Sequence, residues 1–160
     1  MIQVYYGMGK GKTTAAIGAA LRAQGAGRQV LFISFLKDNS SSERYATSDI
    51  TFFKNPKSIE FLFNMNDEQK AKYKLWCESV IENAFQSEYD FIVLDEFLDV
   101  ISLLGQDFVE SLTFDPKKEY IITGHVEDDY IFGIADYLTE MKKIKHPFDN
   151  GVIARKGIEF

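Results

Sequence analysis

The sequence predicts an α/β fold: a single domain, residues 1–160, with a mostly parallel sheet flanked by helices. Short apolar runs alternate with segments of helical periodicity, which is typical of right-handed strand–helix–strand units. The apolar runs are nearly continuous, as expected for strands that are buried on both faces. The chain of 160 residues, 46% hydrophobic and 26% charged, has the size and composition of one globular domain and contains no evident repeat or linker.

The first elements have clear local causes. Residues 2–6 are mostly apolar and lead into a glycine-rich loop, which favours a strand. Residues 12–24 are rich in alanine and predict a helix that Gly25 and Gly27 end. Residues 29–36, with the sequence QVLFISFL, predict a strand buried on both faces.

The middle of the chain is less regular. Residues 38–42 form a polar loop, residues 43–48 continue it or form a short helix, and residues 50–54 predict another strand. Asn66 or Asp67 can cap a long helix that runs to about Gln86. The apolar residues of this helix lie near helical spacing, at Leu75, Trp76, Val80, Ile81, Ala84 and Phe85.

The remaining elements follow the same alternation. Residues 91–94 (FIVL) and 119–123 (EYIIT) predict core strands. Residues 98–104 predict a helix that ends at a glycine, and residues 128–135 predict a short helix. Residues 137–144 are predicted to be a strand or an extended segment.

The first strand opens into a glycine-rich loop that ends in Gly-Lys-Thr. Backbone N–H groups of such a loop converge on phosphate oxygens, Lys12 adds a positive charge, and the Thr13 hydroxyl can bind Mg²⁺. A helix then begins, and its N-terminus favours negative charge. The strict phosphate-loop pattern has four residues between its first glycine and Gly-Lys-Thr, whereas three separate Gly7 from Gly11.

This loop therefore has two interpretations, a phosphate loop or a glycine-rich turn without a ligand. The strand before it and the helix after it favour the phosphate loop. The fold is accordingly predicted to be of the P-loop NTPase type, RecA-like. Lys10 either contacts phosphate or is only solvated, and both interpretations stay open.

Asp95 and Glu96 directly follow four apolar residues, as acidic residues do at the end of a buried strand beside a phosphate loop. A carboxylate at that place can hold Mg²⁺ or its water ligands. Acidic residues at the solvated end of a strand are the alternative, but the Gly-Lys-Thr motif earlier in the chain favours the metal site.

Residues that follow the predicted strands should line one rim of the sheet, because ligands of such sheets bind outside the carboxyl ends of the strands. These residues are Gly7–Thr13, Lys37, Asp95, Glu96, Thr123, Gly124 and His125.

For two pairs of residues, the sequence does not decide between a structural role and a role in a site. His125 and His146 are either structural or serve as ligands or general acids. Phe61 and Phe63, in the irregular stretch before the long helix, are either core residues or part of a site.

Bulk properties exclude several classes of function. The net charge of −6 and the pI of about 5.0 argue against broad binding to nucleic acid or to anionic membrane. Cys77 is the only cysteine, so neither a disulfide framework nor a multi-cysteine metal site is expected. No signal peptide and no apolar run of membrane-spanning length are evident. A reducing, cytoplasmic setting is expected.

Several segments, in order and over nearly the whole chain, resemble the CobA/BtuR-type ATP:corrinoid adenosyltransferases. The short phosphate loop is itself similar to that family's Gly-x-Gly-Lys-Gly-Lys-Thr-Thr, and the C-terminal motifs are more specific than any phosphate loop. The matching segments are Tyr6–Ala16, Leu21–Gly25, Phe35–Lys37, Leu94–Glu96, Thr123–Gly124, Ala135–Asp136, Thr139–Met141, Lys145–Pro147 and Gly157–Phe160.

The resemblance implies a transferase of cobalamin biosynthesis. In this family the cobalt(I) of a reduced corrinoid attacks the 5′ carbon of ATP, the adenosyl group moves to cobalt, and inorganic triphosphate leaves. The resemblance also implies ATP as co-substrate, a corrinoid as substrate, Mg²⁺, an electron donor for cobalt and a homodimer. Two other functions are weighed beside it: a P-loop ATPase or kinase, and a non-catalytic relative that binds nucleotide or corrinoid.

The resemblance also implies roles for individual residues. Lys12 and Glu96 are catalytic, Thr13 and Glu96 lie at Mg²⁺ with Asp95 beside them, and Phe61 and Phe63 lie against the lower face of the corrin. The residues implied to bind the nucleotide are Gly7, Met8, Gly9, Lys10, Gly11, Lys12, Thr13, Thr14 and Arg22.

The chain departs from the family pattern at a few positions. Ser34 stands where the family often has glutamine, and Asp38 where it has glycine. His125 replaces a common arginine after Thr-Gly, and acidic residues including Asp128 follow it.

Overall fold

The computed structural model describes residues 1–46, 49–56 and 62–158. These residues form a sheet of six strands in the order β3-β2-β4-β5-β1-β6. Every strand pair in this described part of the chain is parallel. The predicted mostly parallel α/β fold is confirmed. The strands are β1 (Ile2–Tyr6), β2 (Val30–Ser34), β3 (Ile50–Phe52), β4 (Phe91–Asp95), β5 (Glu119–Gly124) and β6 (Tyr137–Glu140).

The helices connect these strands, and most lie where the sequence predicts them. They are α1 (Lys12–Gly25), α2 (Asp67–Gln86), α3 (Ile101–Leu104), α4 (Gln106–Ser111) and α5 (Asp129–Ile134). Short 3₁₀ turns occupy Ser42–Tyr45, Leu62–Asn64, Leu98–Val100 and Pro147–Asn150. The short helix α4 was not predicted, and β6 is shorter than the predicted 137–144. No helix of the described ranges is long and apolar enough to cross a membrane.

Helix α1 packs on one face of the sheet, while α2 and the short helices α3 to α5 cover the other. The buried residues of α1 include the alanines Ala16, Ala20 and Ala23, which cluster with Phe32 and Val93 of the sheet. Small side chains let the helix axis approach the sheet closely. The opposite core is larger and contains the apolar face of α2.

Helix α2 begins as predicted at Asn66, whose side chain accepts a hydrogen bond from the Gln69 N–H while the Gln69 side chain caps the Asn66 N–H. Its buried face differs from the prediction at Leu75, which is 67% exposed. The residues of α2 that are buried are Tyr73, Cys77, Val80, Ile81 and Ala84. Spacing alone placed Leu75 on the wrong side of the helix, because Tyr73 and Cys77 face the sheet instead.

Strand β5 lies between β1, which leads into the glycine-rich loop, and β4, which carries Asp95. Because all strands run in one direction, the ends of β1, β2, β4 and β5 open at the same edge. In β2 and β4, Ser34 pairs in register with Asp95. Two residues after Ser34 and one after Asp95, the backbone is left-handed, with φ of 55° at Leu36 and 61° at Glu96. Both strands therefore turn sharply at this edge.

Candidate nucleotide and metal site

The glycine-rich loop, Gly7–Thr13, is called the P-loop below. Gly7 and Gly11 have φ of 105° and 122°, a region that favours glycine. The Gly9 N–H donates to the Met141 carbonyl at 2.6 Å, and a Cβ on Gly9 would overlap that carbonyl. The chain just after β6 therefore lies directly against the P-loop, and glycine is required for this close approach.

Lys12 folds back over the P-loop. Its Nζ donates to the carbonyl oxygens of Gly7 at 2.7 Å and Gly9 at 3.2 Å, and the residue is only 6% exposed. Burial lowers the pKa of Lys12, although nearby carboxylates, chiefly Glu96, oppose the effect. The Lys12 charge is thus held by neutral backbone dipoles at the head of α1.

Thr13, Asp95 and Lys37 form a second polar cluster beside the P-loop. The Thr13 hydroxyl donates to Asp95 Oδ1 at 2.9 Å, and Lys37 Nζ donates to Asp95 Oδ2 at 2.6 Å and to Thr13 Oγ1 at 2.9 Å. Asp95 is completely buried, and the Thr123 hydroxyl also donates to its Oδ1, at 2.8 Å. Burial would lower the pKa of Lys37, but the attraction of Asp95 and of Glu96 outweighs it and raises the pKa.

These oxygens fit a metal ion. Thr13 Oγ1, Asp95 Oδ2 and Glu96 Oε1 lie 2.9, 2.6 and 3.8 Å from one ammonium, that of Lys37. They converge on a position that already suits a cation. Hydroxyl and carboxylate oxygens are the ligands that Mg²⁺ prefers.

His125 adds a third group at the end of β5. Its Nδ1 lies 3.1 Å from Asp99 Oδ2 and 3.3 Å from Glu96 Oε2, and its backbone N–H donates to Asp99. Hydrogen bonds with Asp99 and Glu96 raise the pKa of His125 to about 9. Burial would raise the pKa of Asp99, but its hydrogen bond with His125 lowers it.

The sequence interpretation missed Asp99. Its signal was available, since it follows Glu96 by three residues and so lies one turn later, in the 3₁₀ turn at 98–100. Gly124 lets the two segments meet, because a Cβ there would come within 2.5 Å of Leu98 Cβ.

The rim encloses a cavity of about 580 Å³. Most of the predicted rim residues line it, and His146 lies there as well. Its lining residues are Met8, Gly9, Lys10, Gly11, Lys12, Thr13, Thr14, Ile17, Lys37, Ser42, Glu43, Glu96, His125, His146, Gly157 and Ile158. Gly7 borders a neighbouring cavity of about 320 Å³ with Tyr6, Met8 and His125. The predicted convergence of the strand ends at one rim is therefore confirmed.

Two of the predicted site residues that the structure describes, Arg22 and Phe63, lie away from this cavity. Arg22 is exposed near the end of α1. It is ten residues from Lys12, about 15 Å along the helix axis, and it does not line the cavity. Phe63 is 81% exposed in the 3₁₀ turn at 62–64. Phe61 lies outside the described residues. Their binding roles stay predictions.

Comparison with known proteins provides further evidence for the family of this chain. The family model described as ATP:corrinoid adenosyltransferase BtuR/CobO/CobP matches residues 1–160. A corrinoid adenosyltransferase of Escherichia coli (strain K12) is 32% identical over 174 aligned residues, covering 100% of this chain and 85% of that protein. The corrinoid adenosyltransferase CobA of Salmonella typhimurium is 30% identical with the same coverage, and that of Pseudomonas aeruginosa is 28% identical, covering 83% of that protein. This chain belongs to the ATP:corrinoid adenosyltransferase family.

Proposed function

We propose that this protein transfers the 5′-deoxyadenosyl group of ATP to the cobalt(I) of a corrinoid and releases inorganic triphosphate. Family membership supports the reaction class. The observation that carries the proposal for this chain is the cavity at the head of α1, where Lys12, Lys37 and the P-loop amides surround a space of about 580 Å³. Lys10, Lys12, Lys37 and the P-loop backbone line that space, and cations and backbone N–H groups are what a triphosphate requires.

The P-loop is proposed to hold the triphosphate. The orphan N–H groups at the start of α1 and the helix dipole favour its charge. Lys12 exchanges its bonds to the Gly7 and Gly9 carbonyls for phosphate oxygens, and the exchange is favourable because a charged acceptor replaces neutral ones. Charge that develops on the leaving triphosphate is stabilised by groups that are already oriented.

Mg²⁺ is proposed to bind at Thr13, Asp95 and Glu96. When bound, the ion would neutralise charge on the phosphate oxygens and orient them. Asp95, fully buried and bonded by Thr13 and Thr123, fixes the Thr13 hydroxyl. The left-handed backbone of Glu96, φ 61°, turns its carboxylate out toward the cavity.

The substrate supplies the nucleophile. The lone pair of cobalt(I) forms the new cobalt–carbon bond at C5′ while the bond from C5′ to the triphosphate oxygen breaks, so the electrons leave with triphosphate. A protein nucleophile is not required. Cys77 could not serve as one, since it is completely buried and burial raises the pKa of its thiol to about 12.

The corrinoid is proposed to lie against Phe61 and Phe63. The ring of Phe63 is 81% exposed, so it is accessible to a ligand of this kind. Apolar bulk below the corrin would displace the lower axial ligand and ease reduction of cobalt. An external electron donor and a cytoplasmic setting belong to the same proposal.

A homodimer is also proposed. Strand β6 lies at the edge of the sheet, and all four of its residues are exposed. An exposed strand edge offers unpaired backbone groups to another chain.

An anaerobic assay with chemically reduced cob(I)alamin and MgATP tests the function. Light-sensitive adenosylcobalamin with stoichiometric triphosphate is the expected result. ADP release without a cobalt–carbon product would identify a P-loop ATPase or kinase instead. ATP binding with neither product would indicate a binding protein.

A further inference from the structure

Lys37 occupies the position on which the proposed metal ligands converge. Its ammonium lies 2.6 Å from Asp95 Oδ2, 2.9 Å from Thr13 Oγ1 and 3.8 Å from Glu96 Oε1. A divalent ion bound to the same oxygens would lie within a few ångströms of this ammonium, and the two positive charges would repel strongly at so short a distance. The ammonium and the metal therefore exclude each other.

The backbone at Lys37 is fixed, so only the side chain can leave. The Leu36 N–H donates to the Tyr73 hydroxyl at 2.8 Å. The Asn55 side-chain amide donates to the carbonyls of Ser34 at 2.9 Å and of Lys37 at 2.6 Å. The Lys37 side chain has several rotatable bonds and is 27% exposed. It can swing while its Cα stays in place.

The ammonium of Lys37, once displaced, can bind inside the cavity. Lys37 lines the same wall as Lys12 and the P-loop amides, where the proposed triphosphate would lie. Phosphate oxygens would accept the ammonium and would also complete the ligands of the metal. Without a nucleotide, the carboxylates that line this wall near Lys37 in the described part of the chain are Glu96, 3.8 Å from the ammonium, and Glu43, which also attracts it.

We propose that Lys37 is an internal competitor for the divalent cation, so that the metal enters only together with a nucleotide, onto whose phosphates the Lys37 ammonium moves. This inference rests on the proposed nucleotide and metal site. It makes metal and nucleotide binding mutually dependent, since each is weakened when the other is missing.

Titration of the full-length, nucleotide-free protein with Mn²⁺, followed by electron paramagnetic resonance, tests the competition. The Lys37→Gln variant should bind Mn²⁺ at least about tenfold more tightly than the wild type, because the carboxylates lose their resident cation. Lys72→Gln is the matched control. It removes a lysine from the exposed surface of α2, where Lys72 pairs with Glu68, and should leave Mn²⁺ affinity unchanged.

Addition of a non-hydrolysable ATP analogue should raise the Mn²⁺ affinity of the wild type far more than that of Lys37→Gln. Equal Mn²⁺ affinity of the wild type and Lys37→Gln without nucleotide would overturn the role of Lys37 and leave the proposed metal site intact. Failure of every form to bind Mn²⁺, even with the analogue, would overturn the metal site and this inference together.

A measurement on the wild type avoids any folding defect of the variant. The side-chain resonances of Lys37, assigned with Lys37→Arg, should not respond to Mg²⁺ alone and should shift when Mg²⁺ and the ATP analogue are added together. A shift of equal size with Mg²⁺ alone would contradict the proposal.

Discussion

Two regions at the carboxyl edge of the sheet hold a lysine in opposite ways. In the P-loop, Lys12 is held by the backbone carbonyls of Gly7 and Gly9, and burial lowers its pKa. Across the rim, burial would lower the pKa of Lys37, but its ion pair with Asp95 raises it. An ammonium bonded directly to neutral carbonyls remains available to an anionic ligand, whereas an ammonium in direct contact with a carboxylate is already neutralised. We therefore expect Lys12 to attract phosphate, and Lys37 to compete with a metal ion for the carboxylates.

Removal of the Lys12 ammonium should have the largest effect on activity. Lys12→Ala should lower kcat/KM for ATP by about 10²–10³-fold, because a preorganised positive group near the leaving triphosphate is lost. Triphosphate release under anaerobic conditions measures it. Lys72→Ala, on the exposed surface of α2, serves as the control. Normal turnover of Lys12→Ala would remove the P-loop from the mechanism.

Breaking the ion pair between Asp95 and Lys37 should mainly lower the stability of the protein. Asp95→Asn leaves Lys37 without its closest counter-ion and should lower the free energy of unfolding by about 3 kcal/mol, the low end for a broken buried pair because Lys37 is partly exposed. Urea denaturation measures this change. Glu68→Gln breaks an exposed pair with Lys72 and should have no measurable effect. Equal midpoints for the two variants would show that Lys37 is solvated rather than paired.

A methyl group on the P-loop tests its backbone contacts. Gly9→Ala would push against the Met141 carbonyl, which cannot retreat easily because the Met141 N–H donates to the Tyr6 carbonyl at 2.7 Å. Overpacking of this kind should destabilise the protein by about 1–3 kcal/mol. Nucleotide binding should weaken too. Thermal unfolding and ATP titration give the two readouts, and a fully stable variant with normal ATP affinity would contradict the contact.

A glycine-to-alanine substitution at Gly18 should change the stability in the opposite direction. Gly18 is exposed within α1, and a Cβ there meets nothing within 4 Å. Gly18→Ala should therefore stabilise the protein by about 0.5–1 kcal/mol through helix propensity. Thermal unfolding beside Gly9→Ala provides the comparison. Destabilisation by Gly18→Ala would show that α1 is covered at this position, for example by a second copy of the chain.

Much of the fold could be predicted because its signals are local. The runs that became β2 and β4 are apolar on both faces, and Asn66 begins α2 with a capping box. Helix α4 was missed because only Val109 of its six residues is buried, so it has no apolar stripe. Leu75 was misplaced because spacing gives a period but not which residue faces the sheet.

The candidate site could be predicted only as a set of strand ends. The predicted parallel topology is enough to place Thr13, Lys37 and Asp95 at one edge of the sheet, and this could be predicted from the sequence alone. Their pairing depends on the register of β2 with β4 and on the left-handed turn at Leu36. The register of the two strands has no signature in the sequence. The turn at Leu36 has none either, because leucine rarely adopts a positive φ and would not be expected there.

The contact between Gly9 and Met141 has a consequence for biosynthesis. In the sheet, β1 pairs with β5 and β6, both encoded more than a hundred residues later. A nascent chain emerges from the ribosome with the P-loop first, yet the carbonyl that orients Gly9 follows 132 residues behind it. Loop closure over so long a separation is slow. We therefore expect the P-loop to reach its final shape only when nearly all of the chain has been made, and a truncated product that stops before β6 would carry the complete motif without that shape.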